Sequence, residues 1–215
     1  MKKFDMRIGW GVLLIAGGIL FLLQNMGFLG DGLALLWGLL FGVPGVAFVY
    51  MFVTQRSNWW AAIPGVTLLS IGALIVLEQV ATPVADIFGG GLIMGGIGLA
   101  FWLVYISNRG MWWAVIPAGV MTSLTCLVVL EGLLPHADLD GVLLIGFGLT
   151  FALLSILPTP KGRMWWAVIP AVVLVVIGFG VTPALKGVFA YIWPAALILT
   201  GLYFLYRTFQ VRGKA

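Results

Sequence analysis

Glu78 and Glu131 stand 53 residues apart, Asn25 holds the same place one interval earlier, and Ala184 one interval later. A carboxyl group recurring within apolar sequence suggests ion or proton handling, because an ionisable side chain inside a bilayer is costly and is retained for use. Depth separates that role from a plainer one. Glu78 lies 18 residues beyond Trp60, a helical rise of about 27 Å. With Trp60 at one membrane surface, the carboxylate reaches the other, where it is solvated or dresses a helix end. That reckoning favours a polar contact over an ion or proton site for Glu78, Glu131 and Asn25. His136, beside Asp138 and Asp140, has the types for a weak metal site or a pigment ligand, but a lone loop histidine is more often simply solvated. Cys126 is the only cysteine, so neither an internal disulfide nor a metal-type spacing exists. No nucleophile is paired with a base, there is no phosphate loop, and no two carboxylates share an apolar segment. The expectation is a non-enzyme with no cofactor and no metal.

The elements that position these residues follow from composition. The chain of 215 residues is 62% hydrophobic and 8% charged, against about a quarter charged in ordinary globular proteins, and its mean hydropathy is +1.16. Eighteen charged side chains could not cover a water-soluble core of this size. The net charge of +4 does not point to nucleic acid, because the basic residues form no continuous stripe. Eight apolar segments approach the roughly 20 residues a spanning helix needs: Ile8–Met26, Leu33–Val53, Trp59–Leu77, Val84–Ile106, Trp112–Leu130, Leu139–Leu157, Trp165–Val181 and Phe189–Tyr206. Lys2, Lys3 and Arg7 precede the first, and Gln24-Asn25-Met26-Gly27 after it offers no good cleavage site, so it reads as a retained span.

With eight spans, ten of the eleven basic residues fall on the side of the termini, and six of the seven acids, Asp31, Glu78, Asp86, Glu131, Asp138 and Asp140, fall on the other. Short-loop Lys and Arg stay in the cytoplasm. Both termini are therefore expected to be cytoplasmic, with the acidic turns facing outward.

The phrase Trp-Trp-Ala-x-Ile-Pro occurs at Trp59–Pro64, Trp112–Pro117 and Trp165–Pro170, again at intervals of 53. A fixed period marks one unit used repeatedly. The chain is expected to be a single membrane domain, 1–215, of four helical hairpins, about 1–53, 54–106, 107–159 and 160–215. Two spans per unit make the repeats parallel, whereas the inverted repeats of many transporters need an odd count. Trp59, Trp60, Trp112, Trp113, Trp165 and Trp166 suit an interfacial belt, with a platform for a lipid or cofactor ring as the alternative. Pro64, Pro117 and Pro170 cost little if they sit in a first helical turn, and otherwise free a carbonyl that needs another partner. Gly42, Gly95, Gly148 and Gly201 share the same interval and predict close helix packing, as do Gly38-x-x-x-Gly42 and Gly91-x-x-x-Gly95. Thr82 before Pro83 reads as an N-cap, and Pro135 before Asp138 suggests the same kind of helix entry.

The last span reads Trp193-Pro194, then Ile198, Gly201, Leu205 and Arg207. This Trp-Pro-x-x-x-Ile-x-x-Gly-x-x-x-Leu-x-Arg run resembles the LiaI/LiaF-like transmembrane region of bacterial cell-envelope proteins, and Gly9 through Asn25 is similar to that region's other helix. The resemblance implies an envelope-stress regulator or an uncharacterised membrane protein, and it carries no catalytic residues. The function expected is thus a non-catalytic polytopic protein of the bacterial inner membrane, accessory or regulatory, acting through lipids, other membrane proteins or its own copies. The alternative is a small-solute or ion transporter using the outer-end glutamates and mid-membrane glycines.

Overall fold

The computed structural model describes residues 32–55, 57–160 and 162–212, with positions 15, 17–19 and 22. The expected first span lies mostly outside the described residues, and Asn25 and Asp31 wholly so. Among the described residues from 32 onward seven α-helices follow one another: α1 Gly32–Thr54, α2 Ala62–Val80, α3 Thr82–Ser107, α4 Val115–Leu133, α5 Val142–Ile156, α6 Val168–Gly180 and α7 Pro183–Arg212. These residues contain no strand beyond one isolated bridge between Thr159 and Gly162. Four stretches are long and apolar enough to cross a membrane: Leu35–Thr54, Trp59–Val80, Thr82–Ser107 and Trp112–Leu133. Val142–Ile156, Trp165–Gly180 and Ala190–Tyr203 are shorter apolar helices.

Each Trp-Trp-Ala forms a 3-10 turn that runs into the next helix, at Trp59–Ala61, Trp112–Ala114 and Trp165–Ala167. Pro64, Pro117 and Pro170 are thereby the third residues of α2, α4 and α6. A proline there cannot bond the carbonyl four residues back, which belongs to Trp60, Trp113 or Trp166. The backbone N–H groups of Ala62, Val115 and Val168 donate to those carbonyls instead. The tight turn thus supplies the partner that the proline withholds, and no kink is needed.

Two helix entries differ from expectation. Thr82 does not cap α3, whose N-cap is Ala81 with no side-chain bond; its Oγ1 donates to the Glu78 carbonyl at 3.0 Å. The hydroxyl closes the end of α2, because the orphan carbonyls there are nearer than the α3 amides. Pro135 opens no helix either. The backbone N–H of Asp140 reaches Asp138 Oδ1 at 3.3 Å, a local turn that competes with helix, and α5 starts only at Val142.

The helices lie in a row. Among the described residues each packs chiefly against its neighbours in the chain: α1 on α2, α2 on α3, α3 on α4, α4 on α5 and α5 on α6. This arrangement leaves many large apolar side chains uncovered by protein, including Leu39, Leu99, Leu149, Ile169 and Tyr191. The large buried side chains gather near the Trp-Trp turns. Val104, Tyr105, Val115, Leu154 and Met164 form one cluster with Ala62, Ala114 and Ala167, ringed by Trp59, Phe101, Trp102 and Trp112. Further along the helices, burial falls on small residues: Ser70 and Gly72 in α2, Gly89, Gly91 and Gly96 in α3, Ser123 in α4.

Candidate functional site

The α4–α5 contact is built by reciprocal notches. A Cβ added at Gly119 would strike Thr150, and one added at Gly146 would strike Ser123. Each glycine therefore leaves space for a hydroxyl-bearing side chain of the opposite helix, which lets the helices approach closely. Beside this contact runs a groove of about 430 Å³, lined by Trp102, Thr122, Ser123, Cys126, Leu149 and Thr150 among others. Gly119 and Cys126, both on its wall, lie 6 and 13 residues past Trp113, hence roughly 9 and 20 Å along the helix from the Trp level. The groove runs along the middle of α4.

Its polar groups are largely committed. Ser123 Oγ donates to the Gly119 carbonyl at 2.8 Å, Thr150 Oγ1 to Gly146 at 2.9 Å, and Thr122 Oγ1 to Ala118 at 2.8 Å. Trp102 Nε1–H in turn donates to Thr122 Oγ1 at 3.1 Å. A hydroxyl whose proton is already placed offers only lone pairs. The groove is therefore an apolar slot with a few acceptors and the Cys126 thiol, suited to hydrocarbon. It holds no acid and no base among its lining residues.

Trp102 lines the groove and begins a series of aromatic and cationic contacts toward the Trp-Trp turns. Trp102 and Tyr105 lie one turn apart on α3, and Arg109 follows in the turn after the helix ends at Ser107. The Trp102 and Tyr105 rings meet edge to face with centroids 6.5 Å apart, and the Arg109 guanidinium lies 4.7 Å from the Tyr105 centroid. On the neighbouring turn Arg163 Nε–H donates to the Ser155 carbonyl at 3.1 Å, and its guanidinium sits 4.7 Å from the Trp165 ring centroid. Gly162 takes φ 85° just before it, a left-handed conformation that suits glycine. The turns carrying Arg109 and Arg163 adjoin, since a Cβ at Gly110 would lie 3.9 Å from Pro160.

The residues singled out by spacing fall in several places. Glu78 and Glu131 are exposed at the ends of α2 and α4 opposite the tryptophans, and Glu131 shares a surface pocket with Asp138 and Asp140. Neither carboxylate lines the groove. His136 is exposed in the loop before α5, and no group of three His, Cys, Asp or Glu among the described residues could hold a metal. The tryptophans do more than face outward. Trp60 meets Phe48, Trp113 meets Phe101, and Trp166 meets Phe151, all at 6.0–6.3 Å between centroids, so each phrase fastens its helix to the one before. Trp59 also meets Trp113 of the next phrase at 6.0 Å.

The four spaced glycines are not equivalent. A Cβ at Gly148 would stand 3.0 Å from the Ala171 carbonyl and the Val175 nitrogen. One at Gly95 would stand 3.3 Å from the Thr125 methyl. Gly42 contributes its backbone, 3.1 Å from a Cβ on Gly72, while its own Cβ direction is open. Around a Cβ at Gly201 nothing stands within 4 Å among the described residues. The groove itself was not anticipated. Its trace in the sequence is the i, i+4, i+7 series Gly119, Ser123, Cys126 facing Gly146, Thr150, Leu153, small or hydroxyl residues at one helical stripe apart from Leu153.

No protein-family model, curated protein or solved structure matches this chain.

Proposed function

We propose that this chain is a non-catalytic polytopic protein of a bacterial inner membrane that works by lateral contact with lipids or other membrane proteins. The observation that carries the reading is the open row of helices, which leaves long apolar faces free for neighbours in the bilayer plane. In this reading eight spans form four parallel hairpins of about 53 residues, the Trp-Trp turns face the cytoplasm with both termini, and the acidic turns face outward. The resemblance of the last span to LiaI/LiaF-like regions supports an accessory or envelope-stress role. The exposed, helix-end positions of Glu78 and Glu131 favour surface contact over a conduction path for these carboxylates.

Two measurements test it. In a Cys126→Ala background, single cysteines at Ser57, Asn108 and Pro160 should be shielded from impermeant thiol reagents in intact cells, and cysteines at Gln79 and Ala137 should label. Mixed labelling within either set would overturn the topology. Glu78→Gln with Glu131→Gln should leave partner recovery in mild detergent intact. Gradient-driven flux by the parent in proteoliposomes, lost in that double variant, would replace contact with transport.

A further inference from the structure

Trp102 lines the groove and touches Tyr105, on which Arg109 rests, with the Arg163 turn adjoining that of Arg109, and we propose that this region holds one anionic phospholipid. An acyl chain lies in the groove and the two guanidinium groups meet the phosphate. The inference rests on the membrane reading above, not on the contact role. Four observations carry it. The volume of about 430 Å³ falls within the roughly 300–1,000 Å³ of ordinary ligand sites. The lining is almost wholly apolar, and the hydroxyl protons named above are spoken for, so hydrocarbon enters at little desolvation cost. The groove runs from roughly 9 to 20 Å beyond the level of Trp113, from inside one leaflet's hydrocarbon of about 15 Å to just past it, a depth that the distal part of an extended acyl chain reaches from a headgroup at the Trp level. Charge decides the end: Arg109 and Arg163 stand at the Trp end, whereas Glu131, Asp138 and Asp140 at the other end would repel an anionic headgroup. Each guanidinium rests on an aromatic ring, which holds it at interface height.

The test reconstitutes the full chain in nanodiscs of palmitoyl-oleoyl phosphatidylcholine, alone or mixed with the matching phosphatidylglycerol. Lipid retained after mild detergent transfer is then counted by native mass spectrometry. The parent should keep one phosphatidylglycerol in preference to phosphatidylcholine. Arg109→Gln with Arg163→Gln should reduce that preference roughly twentyfold, as each basic residue near a membrane surface contributes about a fivefold factor. Leu149→Phe and Cys126→Phe, made separately, fill the groove and should each lower retention roughly tenfold, equivalent to about two displaced methylenes. Inorganic phosphate in excess should not displace the lipid. Equal retention of the two lipids by the parent, parent-level retention in a filler variant that keeps its helical circular dichroism, or displacement by phosphate would each overturn the proposal. Failure of the parent to enter nanodiscs at all would instead strike the membrane reading.

Discussion

The two ends of the helical row are built on different principles. Near the Trp-Trp turns, large side chains interlock: Val104, Val115 and Leu154 are fully buried, and aromatic rings bridge successive helices. Toward the other end, backbones meet through the absence of side chains. A Cβ at Gly72 would lie 2.9 Å from the Gly38 carbonyl, and one at Gly178 would lie 2.9 Å from the Ile145 nitrogen. In water the first kind of contact would dominate by hydrophobic burial. In a bilayer, lipid tails are as apolar as the core, so both kinds depend on fit. The Trp end combines filled volume with close approach, since a Cβ at Gly65 would lie 3.0 Å from the Val49 nitrogen. The other end relies chiefly on close approach, so shortening side chains should damage mainly the first and lengthening them the second.

The contrast can be broken deliberately. The largest loss should come from Leu154→Ala, at about 2–5 kcal/mol for a fully buried large-to-small change, read by thermal or denaturant melting in detergent; a cost like that of Leu149→Ala, at an exposed position, would deny a packed core at the Trp end. Next comes Gly178→Leu or Gly72→Leu. Each drives a side chain into backbone, at roughly 1–3 kcal/mol or more, while Gly201→Leu should melt like the parent. Equal effects at all three glycines would erase the distinction between close-approach and open positions. Trp113→Ala should cost a comparable amount, losing edge-to-face contacts with Phe101 and Trp59 worth about 0.5–1.5 kcal/mol each beyond area; Trp113→Phe should recover part of it. Smallest is Thr82→Val, which removes one bond to the Glu78 carbonyl, about 0.6 kcal/mol for hydrogen bonds of this kind in membranes.

How far the sequence led depended on the range of the interaction. The Trp-Trp-Ala-x-Ile-Pro phrase located the starts of α2, α4 and α6, because a proline restricts its own turn and the preceding residues directly. It did not reveal that Ala62, Val115 and Val168 satisfy the freed carbonyls, which depends on the 3-10 tightening. Spacing by 53 picked out Gly95 and Gly148, which lie at helix contacts, and Gly201, whose Cβ direction is open. Periodicity records a shared position along a helix, not what stands opposite it. Thr82 and Pro135 were misplaced for a similar reason: a hydroxyl or a proline near a boundary suits the end of one helix as well as the start of the next. The groove was illegible because it belongs to three helices at once, and no single stretch carries it. The stretch around Asn25, on which one candidate site position rests, falls outside the described residues.

A row in which each helix meets chiefly its chain neighbours also has a temporal meaning. Contacts close in sequence form with little loop-closure entropy. As each helix leaves the ribosome, the partner that precedes it is already in place, so assembly can keep pace with synthesis and proceed helix by helix along the chain. A chain ending after α4 and released from the ribosome would then hold α2, α3 and α4 already packed, lacking only Thr150 to fill the notch at Gly119 and Gly146 to admit Ser123.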